Sequence, residues 1–183
     1  AQIRGDFFGY INPGNPHEAA RMAYADGSVS HTKNGVYGEM FIAALLSLCY
    51  LPELTMKERI KIAMQQIPPA SRLHKSLEDV CILYDAGESF EELVDEVHGR
   101  FDENSMFDWC LTIPNAMLVC ACLLWNSDFD SAVSAAVLAG FDTDCNGATV
   151  GSVMGLANGF QSINPKWYSP FDGNLHTSVH GLY

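Results

Sequence analysis

The chain has 183 residues, 48% of them hydrophobic, which is enough apolar material for one packed core and excludes general disorder. Ten lysines and arginines against 22 aspartates and glutamates give a net charge of −12, which excludes a surface built to neutralise nucleic-acid phosphates and leaves metal ions and small ligands as expected partners. No run reaches the roughly 18 to 20 apolar residues that span a bilayer, and no secretory leader is evident. Six cysteines occur without a Cys-x-x-Cys pair, most of them in apolar runs, where a free cysteine behaves as a small hydrophobe; this usage fits a reducing, cytoplasmic setting.

Residues 1–16 hold Gly5, Gly9, Asn12-Pro13-Gly14 and Asn15-Pro16, the residues of turns, and read as a loop. Asn15 followed by Pro16, His17 and Glu18 is a cap, a first-turn proline and an acidic first turn, predicting a helix to about Gly27. After Ser30-His31-Thr32-Lys33-Asn34-Gly35, the apolar residues Val36, Met40, Phe41, Ala44, Leu45 and Leu48 fall at helical spacing. Pro52 ends that helix. Thr55 and Glu58 make a capping box for another through Ile67, with Ile60, Ala63, Met64 and Ile67 on its apolar face. Pro68-Pro69 stops it, Ser71 restarts a helix to about Ala86, and Ser89 with Glu92 is a second capping box leading to about Phe101. His74 and His98 fall on polar helical positions without partners at ligand spacing, and neither is assigned a function. Residues 102–112 read as a loop that sets Trp109 and Cys110 along a pocket rim.

From Asn115 to Trp125 the pattern is apolar all round, which marks a buried helix. Cys120 and Cys122 stand about 200° apart on it and cannot converge on one ion. Asp128 caps a helix from Ser131 to Ala139, and the chain then enters Gly140-Phe141-Asp142-Thr143-Asp144-Cys145-Asn146-Gly147. Gly147, Gly151, Gly155 and Gly159 recur every four residues and line one helical face. Each interior glycine costs about 1 kcal/mol relative to alanine, so the stripe predicts a buried central helix with another helix backbone packed closely on it. Asp142 and Asp144 stand at the positive end of its dipole, where they either cap the helix or hold a cation. After Gly159 the periodicity is lost; His176 and His180 are four apart but bracketed by Gly173 and Gly181, a poor frame for a zinc site. With no alternating strand pattern, the expected fold is all-α, an orthogonally packed helical domain.

The run from Gly140 to Gly155 resembles the C-terminal signature of the ADP-ribosylglycohydrolases, all-α proteins that carry two Mg ions and hydrolyse the bond between ADP-ribose and an acceptor. The resemblance implies that Asp142 and Asp144 are metal ligands and catalytic residues, that Gly140 and Phe141 border the ligand, and that Cys145 stands where the family commonly has a metal-binding threonine. A thiol is a softer donor than a hydroxyl and suits Mg poorly. Cys145 therefore is silent, ligates a softer ion, or yields its place to a water or backbone oxygen. The family's glycine-rich phosphate loop would end at Ala1–Arg4, which implies Arg4 as a ligand contact, against the plainer reading of an ion-pair partner; Asp6 is equally open. A Ser-His such as Ser30-His31 lies near the ligand's phosphates in the family, so His31 is a second ligand contact or else a capping or solvent-exposed histidine.

The family also draws metal ligands from an upstream Thr-Asp-Asp type motif, and no Asp-Asp pair occurs in these 183 residues. The chain has no initiator Met and opens mid-pattern. The expectation is that residues 1–183 are the C-terminal part of a single such domain without its N-terminal metal-binding part, inactive alone, and either dimeric or bound to the missing N-terminal segment. The expected function is Mg-dependent hydrolysis of the glycosidic bond linking ADP-ribose to a protein side chain or related acceptor. The alternative is a catalytically silent member that binds ADP-ribose or serves structurally, like the related crystallins.

Overall fold

A computed structural model of the chain describes residues 2–174 and shows helices joined by turns, with no strand among the described residues. His176 and His180 lie outside the described residues. A short 3-10 turn, Gln2–Arg4, leads into α1 (Gly5–Tyr10), followed by α2 (Pro16–Gly27), α3 (Asn34–Leu48), α4 (Met56–Met64), α5 (Arg72–Ala86), α6 (Phe90–Arg100), α7 (Thr112–Trp125), α8 (Phe129–Leu138) and α9 (Thr143–Asn158). The predicted caps start five of them, α2, α4, α5, α6 and α8. Asn15 accepts from the Glu18 N–H at 3.1 Å, Ser71 from His74 at 3.1 Å and Asp128 from Ser131 at 2.9 Å. Both halves of the capping box are formed at Thr55–Glu58 and at Ser89–Glu92. Each such cap satisfies donors that the helix itself leaves open, worth about 1 kcal/mol.

The core is built on α3 and α7. Every residue of α7 from Pro114 to Leu123 is buried, and Phe41, Ile42, Leu45 and Leu46 of α3 are fully so. Burying a side chain of this size stabilises by about 1.5–3 kcal/mol. The expected central position of the glycine-striped helix is corrected here: α9 buries only one side, through Asn146, Thr149, Val150, Val153 and Met154. Its glycines do not meet another backbone. A Cβ at Gly147 would stand 3.6 Å from the Val137 side chain, and one at Gly151 3.6 Å from Phe129, both ordinary contacts with α8. Gly159, with φ +79°, is the C-cap and not part of the stripe.

The close backbone approach lies elsewhere, in the segment expected to be a loop. Gly5 and Gly9 turn α1 against α3, where a Cβ on Gly5 would come within 2.8 Å of the Glu39 carbonyl oxygen and one on Gly9 within 2.9 Å of that of Ala43. The turn-forming residues hid this helix because its partner, not its propensity, stabilises it. Smaller differences are local. The fourth helix ends at Met64, three residues before Ile67, as the chain turns toward Pro68; α7 starts at Thr112, with Pro114 in its first turn, where a missing N–H costs nothing.

Candidate functional site

The segment between α8 and α9 is a strained turn. Gly140 has φ +84° and Phe141 φ +59°; for Phe141 this left-handed conformation costs on the order of 1–3 kcal/mol and needs external support. Two residues supply it. The Phe141 N–H donates to Glu103 Oε2 at 3.0 Å. The Phe141 ring is buried against the His98 ring, 4.8 Å away between centroids. His98 Nε2 donates to the Ala139 carbonyl at 2.9 Å, which makes Nε2 the protonated nitrogen because a carbonyl only accepts. Glu103 Oε2 also crowds the position a Gly140 Cβ would occupy, so glycine is required there twice over.

Asn115, the polar exception in α7, locks the next residue. Its Oδ1 accepts from the Asp142 N–H at 3.0 Å and from Asn146 Nδ2 at 2.7 Å, while its Nδ2 donates to the Trp109 and Leu111 carbonyls. One buried amide thus ties the 109–111 stretch to the start of α9. Asn115, Glu103 and His98 were not picked out from sequence; the signal for Asn115 was an amide inside an apolar run, and nothing local marked the other two.

Asp142 occupies the N-cap position of α9, yet its side chain makes no capping hydrogen bond. Its carboxyl is half-buried; burial, then the neighbouring Asp144 carboxyl, raise its pKa above the ordinary value. Asp144 is exposed and accepts from the Cys145 N–H at 2.7 Å. The two carboxylates therefore crowd each other, an arrangement that a cation relieves. Burial pushes the Cys145 thiol up to about 11, leaving it neutral at pH 7, within hydrogen-bond reach of the Ile3 backbone. Among the described residues no group of three or more His, Cys, Asp and Glu side chains is placed to hold a metal. As a donor set the aspartate pair suits a hard ion such as Mg, but supplies only part of the six oxygens Mg takes.

The remaining predicted contacts sit near the same end of the molecule. Gly140 and Phe141 face Glu103 and His98, inside the turn. The Arg4 guanidinium is engaged internally, by Asp26 Oδ2 at 2.6 Å and by Ser30 Oγ at 3.2 Å. His31 lines a cavity of about 400 Å³ together with Lys33, Arg72, Phe101, Cys110 and Thr112, so Cys110 reaches a pocket rim, whereas Trp109 is not among the residues lining it. Leu111 and Thr112 wall this cavity, and Asn115, one turn further along α7, holds Asp142. Lys33 and Arg72 have no carboxylate within ion-pair distance among the described residues, in a chain whose other cations are mostly paired.

These elements define a class: an all-α domain whose last long helix opens on a pinned Gly-Phe-Asp-Thr-Asp turn beside a cation-lined groove. The family model described as ADP-ribosylglycohydrolase matches residues 1–182, and the chain belongs to that family. No curated protein and no solved structure matches it. No helix among the described residues is long and apolar enough to cross a membrane.

Proposed function

We propose that the protein acts in Mg-dependent hydrolysis of the glycosidic bond between ADP-ribose and a protein side chain or related acceptor, in a cytoplasmic setting. The observation that carries this reading is that Asp142 stands at a helix N-cap without capping, its backbone N–H already held by Asn115 and its carboxyl set beside that of Asp144. The pair is kept available for a cation. Asp142 and Asp144 would hold Mg, which when bound contributes a water of lowered pKa and a contact for ribose hydroxyls. Glu103, Asn115 and His98 keep the turn from relaxing. Lys33 and Arg72 offset the acidity of the chain where the diphosphate of the ligand would lie, with His31 at the groove wall. Because two carboxylates leave Mg short of oxygen ligands, a second copy or further polypeptide is proposed to complete the site.

A second reading, a silent ADP-ribose-binding or crystallin-like structural member, draws on the buried neutral thiol of Cys145. Calorimetric titration with Mg and then ADP-ribose, paired with release of ADP-ribose from a modified peptide, separates the two. Binding of both with release supports hydrolysis, and binding without release supports the silent reading. Asp144→Asn tests the metal ligands directly: Mg affinity is expected to fall at least about 10-fold with the melting temperature unchanged. Full Mg affinity with a lowered melting temperature would make the aspartates structural and sink the metal reading.

A further inference from the structure

Glu39 lies in the middle of α3 and is completely inaccessible to solvent, yet among the described residues no hydrogen-bond donor reaches either of its carboxylate oxygens. A buried carboxylate left in this state is costly, and an apolar residue there would ordinarily be more stable. The fold makes room for it. Gly27, at the end of α2, lies so close that a Cβ there would stand 2.8 Å from Glu39 Oε2. Among the described residues, the charged groups facing Glu39 are the Asp26 carboxyl from α2 and the Arg4 guanidinium from the N-terminal 3-10 turn, with Arg4 Nη2 3.6 Å from Glu39 Oε2 and 2.6 Å from Asp26 Oδ2.

Arg4 leads onward. Its Nη2 also donates to the Asp26 carbonyl at 3.2 Å, its Nη1 donates to Ser30 Oγ at 3.2 Å, and Ser30 Oγ lies 2.9 Å from His31 Nδ1. A guanidinium can only donate, so it occupies one of the two lone pairs of the Ser30 oxygen and leaves the hydroxyl proton free to point at Nδ1. In that arrangement Nδ1 accepts and Nε2 is the N–H nitrogen of a neutral imidazole. Burial and the nearby Arg4 charge both lower the His31 pKa, which keeps the ring neutral. Burial, then the Asp26 carboxyl, raise Glu39 to about 7, so near neutrality Glu39 is partly protonated and presents a reduced charge to Arg4.

We propose that Glu39, with Asp26, is a positioning residue that holds Arg4 in place, and that Arg4 through Ser30 fixes His31 as the neutral Nε2–H tautomer in the wall of the groove. The inference rests on the reading of His31 as a ligand contact and adds the residues that orient it. Arg4 acts here as an internal strut, not as a group offered to the ligand.

The test uses the full chain with histidine ¹⁵N-labelled, reading the His31 tautomer by NMR and ADP-ribose affinity by calorimetry. The wild type is expected to show Nε2–H. Glu39→Ala is expected to convert His31 to a mixture of tautomers and weaken ADP-ribose about 10-fold, while Glu39→Gln, a neutral isostere, keeps both near wild type. Should Glu39→Ala fail to fold, Arg4→Ala carries the same expectation for His31. An Nδ1–H tautomer in the wild type, or unchanged His31 signals in a folded Glu39→Ala or Arg4→Ala protein, overturns the relay. If the tautomer responds as expected but His31→Ala binds ADP-ribose as tightly as wild type, the ligand-contact reading of His31 is overturned and the relay stands.

Discussion

Two glycine pairs at the same spacing do opposite things in this protein. Gly5 and Gly9 in α1 face the α3 backbone, where an added Cβ would press within 3 Å of the Glu39 and Ala43 carbonyl oxygens, at 2.8 and 2.9 Å. Gly151 and Gly155 in α9 face side chains of α8 and of Ile163, with the nearest atoms 3.6 and 3.5 Å from a Cβ. Backbone atoms of a core helix cannot yield, whereas the second pair sits against ordinary van der Waals neighbours. Glycine at i and i+4 therefore signals a face without side chains, and only the partner decides whether glycine is required.

The double variant Gly5→Ala/Gly9→Ala breaks the comparison at its tight end. Each methyl overpacks against rigid backbone, so together they are expected to remove on the order of 5 kcal/mol, measured by denaturant unfolding. A loss below about 1 kcal/mol would mean that α1 does not sit closely on α3 in solution.

The other face of α1 gives the second prediction. Among the described residues Asp6 has no cation within ion-pair distance and its Oδ1 is buried without a partner; it accepts from Ser152 of α9, and burial raises its pKa to about 6. For an acid whose folded pKa is raised, the folded state binds the proton more tightly, so stability is fullest at low pH and declines as pH rises from the ordinary 3.8 through about 6. Two units correspond to at most about 3 kcal/mol. Asp6→Asn is expected to lose this decline and to be the more stable protein at pH 8. Glu39 titrates in the neighbouring range in both proteins, so the difference between them isolates Asp6. Parallel stability–pH curves for the two would rule out a buried, proton-binding Asp6.

The smallest effect sharpens the loose end of the comparison. Gly151→Ala removes a helix-interior glycine and adds a methyl at ordinary contact distance from Phe129 and Val133, so a gain of up to about 1 kcal/mol in unfolding free energy is expected. A loss of the same size would show that α8 approaches α9 more closely than the Cβ distances allow.

Five helix starts were legible at Asn15, Thr55, Ser71, Ser89 and Asp128, because a cap and the N–H it satisfies are three residues apart and need nothing else. The paired aspartates were legible because they stand two positions apart at the head of a helical glycine pattern. The support of their turn was not: Glu103 reaches Phe141 across 38 residues, Asn115 reaches Asp142 across 27, and His98 reaches Ala139 across 41. Glu39 was likewise unremarkable in sequence, an acid in an apolar helix, until Gly27, Asp26 and Arg4 closed around it.

By itself, then, the amino-acid sequence determined the all-α class, most helix boundaries, the buried course of residues 115–125 and the place of Asp142 and Asp144, since each follows from periodicity or from hydrogen bonds made within a turn of chain. Only the tertiary structure decided that residues 5–10 are helical, that α3 and α7 rather than α9 form the centre, and that Asn115 holds the Asp142 N–H and Asn146 at the head of α9. Those outcomes depend on which backbones and side chains meet across distant segments, and a local pattern holds no record of its partner.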